Sequence, residues 1–321
     1  MSVYRSLAEL PADFGPCAIT IGNFDGVHAG HREIMRRVAA VAREHGWKSA
    51  ALTFDPHPTR LVAPARAPRL LSTPEERARL MLAAGIDEVL ILPFTPEIAA
   101  LTPEEFVRRI LSAKLGARAV LVGDNFRFGN RAAGDAGTLQ ELGLKYGFSN
   151  EVTHAIVSRG KIISSSEIRS AIEAGQVSLA CRMLGRPYAL EGRVVRGAGV
   201  GSRQTVPTLN LETSAEVLPR TGVYITRTHD RAGSREWPSI TNVGYRPTFN
   251  GHGLTIETFL LAPLEGGTPE EIAVEFLRWV REERKFPTPE ELKAQIFRDV
   301  GQAQAYFRRL RRASLWFANP A

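Results

Sequence analysis

Cysteine is scarce in this chain: Cys17 and Cys181 are the only two among 321 residues. Two thiols cannot make a disulfide framework, and they are expected to stay reduced. Long apolar runs are missing as well. Stretches such as Val89–Leu92 and Ala119–Val122 are strand-sized, far below the roughly 18 residues a spanning helix needs. Met1–Pro16 has no basic segment followed by an apolar one, so no secretory signal is expected. The expected compartment is the cytoplasm, with no membrane partner. Low-complexity tracts do not occur: the 28 Gly and 20 Pro are scattered, which excludes collagen-like and mucin-like chains. No run of five basic residues exists, although 41 Lys+Arg against 34 Asp+Glu leave a charge of +7. That balance admits nucleic acid, membrane headgroups or polyphosphate small molecules. The pairs Arg36-Arg37, Arg108-Arg109 and Arg311-Arg312 fit solvated helix faces better than a nucleic-acid footprint.

What is present is an ordinary globular composition, 44% hydrophobic and 23% charged, at a length that suggests about two domains. From Cys17 to Ser166, β-branched runs alternate with helical spacing. Ala18–Ile21, Ala50–Phe54, Val89–Leu92, Ala119–Val122 and Val152–Val157 read as strands of a parallel sheet with crossover helices. His31–Glu44 carries Ile34, Val38 and Val41 on one face. Thr73-Pro74-Glu75-Glu76 and Thr102-Pro103-Glu104-Glu105 are helix starts, and Gly46, Gly85 and Gly116 sit at helix ends. Ile168–Ala174 and Val177–Leu184 read as short helices joining the halves. Beyond Arg186 strands follow one another directly: Leu190–Val195, Thr208–Leu211, Gly222–Thr228, Ser239–Val243, Leu254–Leu261 and Ile272–Phe276. That pattern predicts an antiparallel sheet or small barrel, closed by an amphipathic segment, Pro289–Leu310. The expected boundary lies near Gly185, giving domains 1–184 and 185–321.

Ile19–His31 runs from a strand through a glycine-studded turn into a helix N-terminus. Glycines let the backbone approach an anion closely, and the free amides and dipole of a helix start favour negative charge. His28 and His31 add two ring donors that could hydrogen-bond an α-phosphate as charge develops on it. Zinc ligation fits poorly, because the metalloprotease helix spaces its histidines by four around a Glu. The bland alternative is one capping and one surface histidine. Asp55-Pro56-His57-Pro58 follows the strand Ala50–Phe54, so Asp55 and His57 stand on a rigid lip at the carboxyl end of the sheet, or simply end a strand. Ser164-Ser165-Ser166 before Glu167 is a capping box and a possible phosphate cradle. Arg169, one turn on, could hold the same anion bidentately.

These residues carry a resemblance. His28-Ala29-Gly30-His31 resembles the H-x-G-H signature of nucleotidyltransferases, and Gly22–His28 is similar to the form seen in bacterial FAD synthetases. Thr53–Pro58 resembles that family's second motif, Gly123–Gly129 its flavin-side loop, and Ile163–Arg169 its I-S-S-x-x-I-R helix start. The resemblance implies His28 and His31 as catalytic groups, and Gly22, Phe24, Asp25, Gly30, Ser164, Ser165 and Arg169 at ATP. Asp55, His57 and Asn125 are implied at the flavin, where the Asn125 amide could read a ring edge or merely form a turn.

In the second half, Gly192–Ser202 is a basic, glycine-rich loop that is neither a Walker loop nor a Rossmann fingerprint. In Pro207-Thr208-Leu209-Asn210, alternation puts Thr208 and Asn210 on one face. Two neutral oxygens there suit a hydrated Mg2+ that phosphate also holds. Glu257, in the apolar strand Leu254–Leu261, is an exposed-face residue or a held base. Pro207–Asn210 is similar to the P-T-A-N motif of riboflavin kinases, whose fold is a six-stranded barrel. Gly222-Val223-Tyr224, Asn242–Phe249 and Arg281–Phe286 resemble that family's G-V-Y strand, N-x-G-x-x-P-T-F turn and R-x-E-x-K-F segment. The resemblance implies Glu257 as base, Thr208 and Asn210 at Mg2+, Gly197, Gly199 and Gly201 at ATP, and Arg281 at flavin. There are two departures: Leu209 replaces the motif's Ala, and Ala262–Gly267 replaces the family's acidic segment, which bears on how the flavin loop closes.

Together the resemblance spans nearly the whole chain, as an α/β nucleotidyltransferase (Rossmann-like, parallel sheet) followed by a β-barrel flavokinase domain with a C-terminal helix. It implies membership of the bifunctional riboflavin kinase/FAD synthetases. Riboflavin, FMN and ATP would be the substrates, Mg2+ the cofactor, FMN and FAD the products, and nucleic acid no partner. The competing readings are a single nucleotidyltransferase with a flavin-sensing barrel, and a basic nucleic-acid binder with a dead nucleotide pocket.

Overall fold

A computed structural model describes residues 1–158, 160–195, 208–233, 235–248 and 251–318. The chain forms two compact units, Met1–Ser165 and Ser166–Ala321. The first is built on six parallel strands: β1 (Ser2–Tyr4), β2 (Cys17–Ile21), β3 (Lys48–Asp55), β4 (Glu88–Pro93), β5 (Ala117–Gly123) and β6 (Ser149–Thr153), in the order β1-β4-β3-β2-β5-β6. Its α-helices are α1 (Ala29–His45), α2 (Pro58–Val62), α3 (Pro74–Ala83), α4 (Pro96–Ala100), α5 (Pro103–Phe106) and α6 (Ala136–Tyr146). The inner strands bury both faces. Ile19, Leu52, Leu90 and Val120 go to one core, and Ala18, Ala51, Val89, Ile91 and Leu121 to the other, as crossover helices on two sides require.

The helix signals predicted at Thr73, Thr102 and Gly46 form. Thr73 Oγ1 accepts from the Glu76 amide, and Thr102 and Glu105 close a full capping box. Gly46 ends α1 at φ 68°, a left-handed position that costs glycine nothing. One strand needs correction. Val152–Val157 is not continuous: β6 stops at Thr153, opposite Gly123, where its partner β5 also ends. With no further backbone to pair, Val157 starts a separate hairpin, β7 (Val157–Ser158) with β8 (Lys161–Ile162).

The second unit contains most of α7 (Ser165–Glu173), then α8 (Val177–Leu184), and a closed antiparallel barrel. The barrel strands are β9 (Tyr188–Val195), β10 (Thr208–Glu212), β11 (Gly222–Asp230), β12 (Glu236–Thr248), β13 (Gly251–Leu260) and β14 (Glu271–Arg281), in the order β10-β13-β12-β11-β14-β9, followed by α9 (Pro289–Ala318). β12, β14 and α9 run longer than the sequence pattern suggests. Inside the barrel, Thr226, Thr228, Ser239, Thr241 and Thr258 are fully buried and hydrogen-bond one another at 2.8–2.9 Å. Every hydroxyl in this seam has a partner, as burial demands. Outside, Val223, Ile225 and Ile240 pack against Ala303 of α9. α8 also lies on the barrel, with Ser178 Oγ donating to the Leu277 carbonyl.

Barrel closure depends on Gly192 in β9. A Cβ there would stand 1.9 Å from the Glu212 carbonyl oxygen, a backbone atom that cannot step aside. Gly192→Ala is expected to destabilise the barrel by about 1–3 kcal/mol, read as a lower thermal midpoint for the second unit. An unchanged midpoint would show that the two strands can separate at no cost.

Candidate active sites

The strand order reverses at β2, whose neighbours β3 and β5 lead the chain to opposite edges of the sheet. The crevice beyond the carboxyl ends of such strands is where open α/β sheets bind ligands. The Gly22–His28 loop occupies that place and is unusually constrained. Phe24 and the β-branched Val27 hold φ of 47° and 39°, and Gly26 one of 75°. Left-handed angles at two bulky residues are stored strain, which collects at functional sites. A clamp opposes it: the Asp25 carboxylate, 3% exposed, accepts from the Leu71 and Ser72 amides and the Ser72 hydroxyl. The Gly26 amide donates to Ser72 Oγ. Asp25, predicted at ATP, thus turns its carboxylate to the segment leading into α3.

His28 caps α1, its Nδ1 accepting from the His31 amide. The two imidazoles stack with ring centroids 3.6 Å apart, and the Phe24 edge meets His31 at 5.2 Å. The sequence offered capping and phosphate-facing roles as alternatives, and the cap engages Nδ1. Burial holds the His31 imidazole well below the usual histidine range, and the neighbouring His28 and Arg77 lower it further. His31 is therefore neutral near pH 7. Gly30 keeps this pair compact, since a Cβ there would lie 3.1 Å from the His28 ring. A Cβ at Gly22 would meet the Phe24 ring at the same distance.

Of the remaining residues predicted for this site, Ser165 reaches the loop directly, its hydroxyl donating to the Asp25 carbonyl at 2.9 Å. Ser164 precedes it at the start of α7. His57 is buried and caps α2 through Nδ1, while Asp55 is exposed at the end of β3. Asn125 is exposed in a turn after β5, beside the stacked Phe126 and Phe128 rings. Arg169 belongs to the second unit, where it donates to Ser166 Oγ.

In the barrel, strand register assembles the second set. Asn210 pairs with Glu257, and Glu257 pairs with Asn242 on its other side. Partners across antiparallel strands share a face, so Asn210, Glu257 and Asn242 form one row. Alternation adds Thr208, and all four are half-buried. The intervening Leu209 and Leu211 are buried, so Leu209 points away from the row and its departure from P-T-A-N leaves the polar face intact. Asn242 is the residue that sequence reasoning quoted in a motif without giving it a role. Only the β12–β13 register shows that it flanks Glu257.

Arg281 ends β14. Its guanidinium donates to Asp299 of α9 at 2.8 and 3.0 Å and sits 5.7 Å from the Phe286 ring. Asp299 is 3% exposed and also accepts from Gln295. The altered segment Ala262–Gly267 joins β13 to β14, and Arg235 holds it by donating to the Glu265 and Gly267 carbonyls. Gly197, Gly199 and Gly201 lie outside the described residues. Among the described residues no three His, Cys, Asp or Glu side chains cluster as a metal site, and no helix is long and apolar enough to cross a membrane. Both cysteines are free, and burial pushes the Cys17 thiol up to about 12.

Comparison with known proteins gives two family matches in this order: FAD synthetase over residues 10–167 and riboflavin kinase over residues 184–307. The bifunctional riboflavin kinase/FMN adenylyltransferase of Pseudomonas fluorescens is 36% identical over 306 residues, covering 95% of this chain and 97% of its own length. The enzyme of the same description from Escherichia coli K12 is 36% identical, covering 94% and 96%. A solved structure described as a macrolide-efflux protein from Streptococcus pneumoniae is similar with a TM-score of 0.83 at 25% identity, covering 94% of this chain and 98% of its own.

Proposed function

The chain belongs to the bifunctional riboflavin kinase/FMN adenylyltransferase family, and on that premise we propose which residues carry each step. The enzyme phosphorylates riboflavin with ATP in its C-terminal half and adenylylates FMN with ATP in its N-terminal half. The observation that carries the assignment is the presence of a separate constellation in each unit, the stacked His28–His31 pair in one and the Asn210–Glu257–Asn242 row in the other.

In the kinase step, Glu257 takes the proton of the ribityl terminal hydroxyl as its oxygen attacks the γ-phosphorus of ATP, and ADP leaves. Positioning and electrostatics supply most of the rate in such transfers. Thr208 and Asn210 offer hard, neutral oxygens on the face that holds Glu257, a donor set that fits Mg2+ already bound to phosphate oxygens. When bound, Mg2+ neutralises phosphate charge. Gly197, Gly199 and Gly201 would follow the phosphates, and Arg281, fixed by Asp299, the flavin.

In the adenylyl step, an FMN phosphate oxygen attacks the α-phosphorus of the second ATP. The new O–P bond forms as the α–β bridging bond breaks, and pyrophosphate departs. The attacking phosphate is largely ionised near pH 7, with a second pKa of about 6, so it needs no strong base. Ring N–H groups of His28 and His31 stabilise the charge gathering on the α-phosphate. The loop at Gly22, Phe24, Asp25 and Gly30 shapes the nucleotide side, and Ser164, Ser165 and Arg169 hold the leaving phosphates. Asp55, His57 and Asn125 meet the flavin. The functional boundary falls at 184/185, between the end of α8 at Leu184 and the first barrel strand at Tyr188, and the compartment is the cytoplasm, which suits two free thiols and two ATP-consuming steps.

Incubating the purified chain with riboflavin, ATP and Mg2+, with FMN and FAD followed by chromatography, tests the reading. Both products should accumulate, FMN first, and omitting Mg2+ should stop FMN formation. FAD arising only from supplied FMN would leave the barrel without its kinase role, and FMN formation without Mg2+ would remove the metal from Thr208 and Asn210.

A further inference from the structure

Arg77 is a fully buried arginine on α3. Its Nη1 donates to three acceptors: the Asn23 carbonyl at 2.8 Å, Thr53 Oγ1 at 3.0 Å and the Phe54 carbonyl at 3.3 Å. Thr53 Oγ1 donates in turn to the Asn23 carbonyl at 3.1 Å. Asn23 lies just past β2, in the loop that leads to His28, while Thr53 and Phe54 lie near the end of β3, which closes at Asp55 before Pro56-His57. One buried nitrogen thus ties the exits of two neighbouring strands, one leading to the residues assigned to ATP and the other to those assigned to flavin. Nε and Nη2 are also buried and have no hydrogen-bond partner. Burying a cation with two unmet donors and no ion pair is costly, and fold stability alone would be better served by an apolar side chain. Such a cost is typically retained where a site needs it.

We propose that Arg77 is a positioning residue for adenylyl transfer, a buried cation that fixes the ATP-side loop and the flavin-side turn at one separation so that the FMN phosphate meets the α-phosphorus in line. The proposal rests on the adenylyl-transfer site assigned above. Its charge has a second effect. The titratable groups acting on His31 are His28, on the loop before α1, and Arg77, and both add to burial in disfavouring the imidazolium. Arg77 itself is made less basic by burial, opposed by the negative charge of Asp25 and Asp55, but a guanidinium stays protonated in proteins.

The test uses the full chain with Arg77→Met, Arg77→Lys and Thr53→Val, each assayed for FMN-to-FAD conversion and, in the same preparation, for riboflavin phosphorylation. Misplacing reacting groups by about 1 Å can cost roughly 100-fold. Arg77→Met should therefore lose about that factor in kcat for FAD formation, with the KM values for ATP and FMN changed far less and riboflavin phosphorylation intact. Arg77→Lys, which keeps the charge and a donor, should recover part of the loss. By NMR, the His31 imidazole should take up its proton at higher pH in Arg77→Met and not in Arg77→Lys. If Arg77→Met does not fold, Thr53→Val and Arg77→Lys decide: a drop in kcat at unchanged KM with the first unit folded upholds the proposal, and wild-type kcat in both overturns it. Wild-type kcat in a folded Arg77→Met overturns it outright. His28→Asn, run in parallel, separates the two levels. If that variant abolishes FAD formation while Arg77→Met spares it, the Arg77 proposal alone falls, and if both are harmless the site assignment falls.

Discussion

Glu257→Gln should abolish FMN formation while leaving conversion of supplied FMN to FAD at its normal rate. The substitution keeps the size and a hydrogen-bonding oxygen of the side chain and removes only its capacity to take a proton. General-base assistance is worth about 100- to 10,000-fold, so riboflavin phosphorylation is expected to fall by roughly 1,000-fold, with KM for riboflavin little altered. The effect should be confined to one activity because Glu257 lies within the barrel row formed by Asn210 and Asn242, in the second unit. Separate chromatographic assays of the two conversions provide the check. FMN formation within a few-fold of normal would remove Glu257 as the base, and an equal loss of both activities would argue against separate sites.

His28→Ala should do the reverse, suppressing FAD formation and sparing riboflavin phosphorylation. Losing one preorganised donor to a developing phosphate charge costs about 100- to 1,000-fold. The alanine also removes the cap on α1, in which Nδ1 accepts from the His31 amide, and a lost cap costs about 1 kcal/mol. His28→Asn separates these contributions, because asparagine is a good N-cap without an imidazole. The expected result is near-normal thermal stability with FAD formation still lost. Full activity in the asparagine variant would show that His28 acts through the helix start alone.

The chemistry-bearing motifs were legible because each couples a residue type to a local conformation. A glycine turn between a buried strand and a helix start favours an anion there, and Thr208 and Asn210 share a face by strand alternation alone. Helix starts at Thr73 and Thr102 and the stop at Gly46 depend on neighbours within one turn. The continuous strand expected over Val152–Val157 failed for a non-local reason, since β6 ends where its partner β5 runs out at Gly123. Arg77 escaped notice because an arginine after an acidic first turn reads as solvated. The only local hint is its spacing of four from Met81, which is fully buried.

By itself, then, the amino-acid sequence determined two units of different architecture and the order of their activities, and it supplied the residues proposed for each, since composition, alternation and short motifs are properties of neighbouring residues. Tertiary structure alone decided which of those residues meet. Strand register set Asn210, Glu257 and Asn242 in one row, packing stacked His28 on His31, and Asp25 was drawn to the amides of Leu71 and Ser72. α3 carried Arg77 beneath two strand ends. These are long-range contacts between residues dozens of positions apart, and their energies come from burial and hydrogen bonding that exist only once the sheet and the barrel have formed.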